Sequence, residues 1–124
     1  WANLGGKFVR HPKLQPFDIK VIDKTDPSTQ HLPVIWKWED ECYFINHLNP
    51  DMHVLLAVDL ETVEDAGKAT YPGEVFGRYF PLCWSHEFEG GRQWYTALGH
   101  KIAHYQDPNF KKHLAGGIRW AMTK

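Results

Sequence analysis

The stretch HVLLAVDL (His53–Leu60) constrains this chain more than any other segment. It is an almost unbroken run of Val, Leu and Ala, with the turn-forming Asn49-Pro50-Asp51 before it and charged residues after it. So short an apolar run between such boundaries marks a central strand covered on both faces.

Other elements follow from local pattern. FDIKVIDK sets Phe17, Ile19 and Val21 on one face and Asp18 and Lys20 on the other, the period-2 alternation of a half-buried strand. TDPSTQHLP is turn chemistry: Pro27 and Pro33 restrict φ, and Asp26 or Ser28 can bond the nearby backbone. VIWKWEDECYFINHL shows no clean period and is read as a short helix or extended loop over Val34–Trp38, then a brief strand over Glu41–Phe44. The opening WANLGGKFVRHP has no evident turn, cap or strand and reads as the tail of an earlier element. ETVEDAGKATYPGEVFGRYF, rich in Gly and Pro, is read as a mobile loop.

FPLCWSHEF and RQWYTAL form a predicted hairpin across EGG, with Gly90-Gly91 supplying positive φ. Asp107 is placed to cap a final helix with Pro108 at its first position, and Phe110, Leu114, Ile118 and Met122 form a stripe at four-residue steps. Gly116 and Gly117 weaken that helix by about 1 kcal/mol each, so close packing on a sheet is their expected role. A helix after the last strand of such a sheet argues for α/β architecture.

Composition excludes several function classes. A net charge of −1, without a run of like charges, gives no nucleic-acid footprint. The longest apolar stretch, Val54–Val58, is far shorter than a membrane span needs. Cys42 and Cys83 make neither a disulfide framework nor a metal knuckle and read as small buried hydrophobes. The compartment stays open between cytoplasm and periplasm. Aromatic residues make up 15% of the chain, six of them Trp, and most are expected in the core.

The segment FPLCWSHEFEGGRQWYTALGHKIAHYQDPNFKKHLAGGIRWAM resembles the end of the ThuA-like (trehalose-utilisation) family. The resemblance lies in a hydrophobic-Pro-x-x-Trp strand, an acidic-Gly-Gly-Arg turn, a Tyr-Thr-x-Leu-Gly-His strand end and an Asp-Pro-x-Phe helix closing on Gly-Ile-x-Trp-Ala. Upstream, GGKFVRHP and DECYF are similar to the family's Gly-Gly-x-Phe-x-x-His-Pro and Asp-Glu-x-Tyr signatures. The resemblance implies a flavodoxin-like, three-layer fold of the class I glutamine amidotransferase-like superfamily. It implies a single domain over residues 1–124, the C-terminal portion of a longer family domain whose opening β-α-β units are missing. A chain trimmed in this way is expected to expose a sheet edge or apolar face and to pair as a homo-oligomer. The implied function is bacterial carbohydrate utilisation, acting on a sugar or keto-disaccharide.

The candidate site residues combine both kinds of argument. His100 follows the second hairpin strand at its carboxyl end, where α/β sheets bind ligands, and Gly99 lets the backbone turn and approach a ligand. With His11 of the matched RHP and Glu41 of the matched DECY, it forms the expected catalytic set, since two imidazoles and a carboxylate can transfer protons near neutral pH. Asp40, Tyr43, Trp36 and Trp38 are the expected substrate-binding residues, the aromatics by stacking on a sugar ring, although core packing competes for each. No cofactor is called for. A divalent metal at His11, Glu41 and His100 is the weaker chemical alternative, and a non-catalytic sugar-binding or protein-interaction module is the alternative function.

Ser85-His86-Glu87 is not read as a triad, because neighbours on a strand point to opposite faces. His104 lies one helical turn beyond His100 but in a segment poorly suited to a regular helix, and is read as a bystander. His31, His47, His53 and His113 are read as surface or loop residues.

Overall fold

A computed structural model describes residues 4–66 and 77–123. In chain order it contains β1 (Lys7–Arg10), β2 (Gln15–Val21), β3 (Ile35–Asp40), β4 (Phe44–Asn46), β5 (His53–Asp59), a 3-10 turn (Leu60–Thr62), β6 (Tyr79–Phe88), β7 (Gly91–Thr96), a second 3-10 turn (Ile102–Gln106) and α1 (Pro108–Met122). Five strands make one sheet in the order β3-β2-β5-β6-β7, while β1 and β4 form a separate two-stranded ribbon. Every pairing among the described residues is antiparallel. The architecture is therefore mixed α/β, a curled antiparallel sheet with one C-terminal helix. The parallel strands that a flavodoxin-like layer requires do not occur among these residues.

The strongest local signals match the structure. β5 is the central strand, and Leu55, Leu56, Ala57 and Val58 are all buried. β2 buries Phe17, Ile19 and Val21 while Asp18 and Lys20 face outward. The turn after β2 closes on Asp26, whose carboxylate accepts hydrogen bonds from both the backbone N–H and the hydroxyl of Ser28. β6 and β7 form the hairpin, with Phe88 opposite Gly91 and a two-residue turn between them. Positive φ falls on Glu89 and Gly90, not on Gly90 and Gly91. Asp107 accepts a hydrogen bond from the Phe110 N–H at 2.9 Å, and Pro108 opens α1.

Four expectations need correction. Residues 35–40 form strand β3, with Trp36, Trp38 and Asp40 inward. The pattern is hidden in sequence because the edge residue Ile35 is exposed and Asp40 is buried. The opening segment contributes strand β1. The brief strand expected over Glu41–Phe44 begins at Phe44 as β4. Finally, the helix stripe drifts: Ile118 and Met122 are 59% and 80% exposed. A four-residue step overshoots a helical turn by about 40°, so three steps rotate the stripe about 120° away from the sheet. The buried face is Phe110, His113, Gly116 and Gly117 instead. Much of the loop expected over 61–80 lies outside the described residues.

Helix α1 covers one sheet face. A Cβ at Gly117 would collide with the Trp94 indole, and one at Gly116 with the backbone of Pro27 and Ser28. His113, read as a surface residue, is fully buried on this face, with Nδ1–H donating to the Ser28 carbonyl at 2.9 Å and Nε2 bonded to the Thr96 hydroxyl at 3.0 Å. Burial lowers its pKa to about 4, keeping it neutral. The opposite face carries the β1–β4 ribbon: Phe44 meets Phe80 edge-on at 5.6 Å, and Trp84 Nε1 donates to the Leu4 carbonyl. Cys42 and Cys83 are buried free thiols whose pKa values burial pushes up, as their reading as small hydrophobes requires. No helix among the described residues is long and apolar enough to cross a membrane.

Candidate active site

Three chain segments bring the candidate residues together. His11 follows β1, whose end is held by Arg10 pairing with both oxygens of Asp65 at 3.0 and 2.8 Å and lying over the Phe44 ring. Glu41 and Tyr43 sit between β3 and β4. His100 follows β7 after Gly99.

The Glu41 carboxylate lies between the two imidazoles. His100 Nδ1 is 2.8 Å from Oε1, and His11 Nδ1 is 3.2 Å from Oε2. The Tyr43 hydroxyl also reaches Oε1, at the 3.5 Å limit of a hydrogen bond. An ionised carboxylate only accepts, so both Nδ1 atoms carry protons, and His11 Nδ1 shares its proton with the Pro12 carbonyl at 2.7 Å. An imidazole that is neutral in this tautomer has its lone pair on Nε2, and neither Nε2 has a hydrogen-bond partner among the described residues. The Glu41 side chain is 14% exposed, while His11 and His100 are 35% and 49% exposed. The cluster thus has a sheltered carboxylate and two accessible bases. Burial, followed by the charges of Glu41 and Asp40, raises the Tyr43 pKa and keeps the phenol protonated.

Asp40, one residue before Glu41, points the other way and is completely buried. Its Oδ2 accepts from Trp38 Nε1 at 2.9 Å and from the Gly99 N–H at 2.8 Å. Its Oδ1 accepts from the Glu41 N–H at 2.9 Å and the His100 N–H at 3.3 Å. One carboxylate therefore ties the end of β3 to the Gly99–His100 turn and sets the spacing of Glu41 and His100. Gly99 has φ +104°, and a Cβ there would meet Phe110 and Tyr105 at 2.8 Å, so its close approach is to the core.

Trp36 and Trp38 are also buried, packed on each other at 4.6 Å beneath α1, and do not present a ring face to the cluster. His104 is buried beside Trp38: Nδ1 accepts from the Lys101 N–H and Nε2–H donates to the Glu39 carbonyl. It anchors the 3-10 turn to β3. A groove of about 440 Å³ runs beside it, lined by Lys37, Trp38, Glu39 and Lys101, and the Glu41 cluster does not line it. Among the described residues no group of three or more His, Cys, Asp or Glu side chains is disposed to hold a metal ion. In the Glu41 cluster both carboxylate oxygens already face a protonated Nδ1.

Phe8 was not nominated as a site residue, although it is the Phe of the matched Gly-Gly-x-Phe-x-x-His-Pro signature. It is half exposed and lies 5.1 Å from Tyr43 and 6.3 Å from His11, ring centre to ring centre. The available signal was an apolar residue three positions before His11, within GGKFVRHP.

An antiparallel sheet that holds two histidines on one carboxylate at its strand ends defines a mixed α/β protein with a candidate acid–base centre. The chain belongs to the ThuA family, described as trehalose utilisation, whose model matches residues 1–121. Its fold is similar to that of a ThuA-like protein from Bacteroides uniformis, at TM-score 0.70 and 21% identity over 98% of this chain. A ThuA-like protein from Parabacteroides merdae is similar at TM-score 0.65, again with 21% identity and 98% coverage. The chain spans about half the length of these structures, 49% of each. No curated protein matches it.

Proposed function

We propose that the Glu41 cluster performs acid–base chemistry on a sugar or keto-disaccharide in trehalose or related carbohydrate utilisation. The observation that carries this reading is the single carboxylate bridging two Nδ1–H groups at 2.8 and 3.2 Å. A carboxylate on Nδ1 orients an imidazole and offsets the charge that forms when Nε2 takes a proton. Two imidazoles on one carboxylate supply a base and an acid. In this reading one Nε2 removes a proton from the carbon between the carbonyl and the anomeric carbon of a keto-disaccharide. The C–H electron pair becomes a C=C bond as the glycosidic C–O bond breaks, and the other Nε2, protonated, gives its proton to the departing oxygen. Tyr43, a neutral phenol, hydrogen-bonds a substrate oxygen, and Asp40 acts by holding the His100 turn.

Steady-state kinetics of His100→Ala and Glu41→Gln on a keto-glycoside test the proposal. Loss of about 100-fold or more in kcat in each is expected, because general acid–base catalysis contributes on that order. Unchanged rates in both would overturn it. The proposal extends to architecture: a flavodoxin-like, amidotransferase-like layer needs parallel strands in addition to the antiparallel ones described. A crystal structure of a chain as long as the two similar structures would test that.

A further inference from the structure

We propose that Phe8, backed by Tyr43, forms the apolar platform on which one pyranose ring lies while its polar edge meets the imidazoles. This rests on the acid–base reading above and adds the residue that selects a pyranose ring.

Among the described phenylalanines, Phe17, Phe44, Phe80 and Phe110 are buried and Phe88 is half-buried, whereas Phe8 is 50% exposed. It stands on the ribbon strand β1, just before His11, and contacts Tyr43 edge-on at 67°. The His11 ring lies 5.5 Å from Tyr43, tilted 37° to it, and 6.3 Å from Phe8, tilted 38°. The three rings lie within 5.1 to 6.3 Å of one another, centre to centre, and one of them is the imidazole whose Nδ1 faces Glu41.

That juxtaposition selects a ligand class. A wholly apolar ligand would cover Phe8 but leave the Nε2 atoms of two imidazoles desolvated without partners. An open-chain polyol could bond to the imidazoles but would leave Phe8 in water. A pyranose has both surfaces: C–H groups that pack on an aromatic face, and hydroxyl or carbonyl oxygens around its edge. Trp36 and Trp38 are buried under α1, so the stacking role expected of them falls to Phe8.

NMR titration with methyl α-glucopyranoside and trehalose, with glucitol as the ring-less control, tests this. Phe8→Ala is expected to raise the Kd for both glycosides about tenfold, the loss of one well-packed contact. Phe8→Trp should restore binding, Phe8→Leu should fall between, and glucitol binding should be weak and indifferent to all three. The exposed position makes each variant compatible with folding, and thermal melts verify this.

Wild-type affinity in Phe8→Ala overturns the inference, as does glucitol binding as tight as that of the glycosides. Failure of the wild-type protein to bind either glycoside overturns it too. The acid–base reading fails separately, through the kcat of His100→Ala and Glu41→Gln; full glycoside binding by inactive Glu41→Gln would support both.

Discussion

Replacing Asp40 by Asn keeps the size and shape of a fully buried side chain and removes one acceptor oxygen. Each oxygen serves two N–H donors, Trp38 Nε1 and Gly99 on one, Glu41 and His100 on the other. Whichever way the amide turns, two donors face an NH₂ group. A buried donor left without its acceptor costs about 1–3 kcal/mol. Relief from burying a charge offsets part of this, leaving a net loss of about 2–4 kcal/mol. For a domain of this length that is a fall in Tm of roughly 10 °C, read by calorimetry. Asp18→Asn is the control: Asp18 holds exposed Lys37 at 2.7 Å, and such a pair contributes about 1 kcal/mol or less. The Asp40 variant should also lose kcat beyond its loss of stability, because the Gly99–His100 turn is freed from β3. A Tm change below about 2 °C would refute the view that Asp40 pins this turn.

Three further predictions concern the surroundings. His113, with its pKa lowered to about 4, is neutral in the folded chain while the unfolded chain takes a proton near the ordinary imidazole value of 6.5. Stability should therefore fall as pH drops from 6.5 toward 4, by about 3 kcal/mol in all. An imidazole titration by NMR with a His113 midpoint near 6.5 would contradict this. Gly99→Ala should cost about 2–3 kcal/mol in urea unfolding, because φ +104° and the contact with Phe110 both oppose a Cβ, and a neutral result would contradict the packing described. His86 is buried with both ring nitrogens unpartnered among the described residues, so His86→Leu should be neutral or stabilising by about 1–2 kcal/mol; a lower Tm would show that the imidazole has a stabilising partner.

Elements written in local patterns were legible. The alternation of β2, the apolar run of β5 and the Asp107-Pro108 helix start depend on neighbours in sequence, which a reader of the chain sees directly. β3 was missed because the burial contrast reverses at its ends, with Ile35 exposed on an edge and Asp40 inward. His113 was missed because its partners, Ser28 and Thr96, come from distant segments. Antiparallel pairing was legible only at the β6–β7 hairpin, where a two-residue turn joins neighbours in sequence; the other pairings join strands separated by longer connections.

His11, Glu41 and His100 could be nominated from their chemistry and from the motifs around them, and the sequence by itself determined that much. Only the tertiary structure decided that one carboxylate lies between both imidazoles and that Phe8 stands beside them. It also decided the separate fates of Asp40 and Glu41. Consecutive side chains leave an extended backbone on opposite sides, so one carboxylate is buried to hold the Gly99–His100 turn while its neighbour faces the two imidazoles.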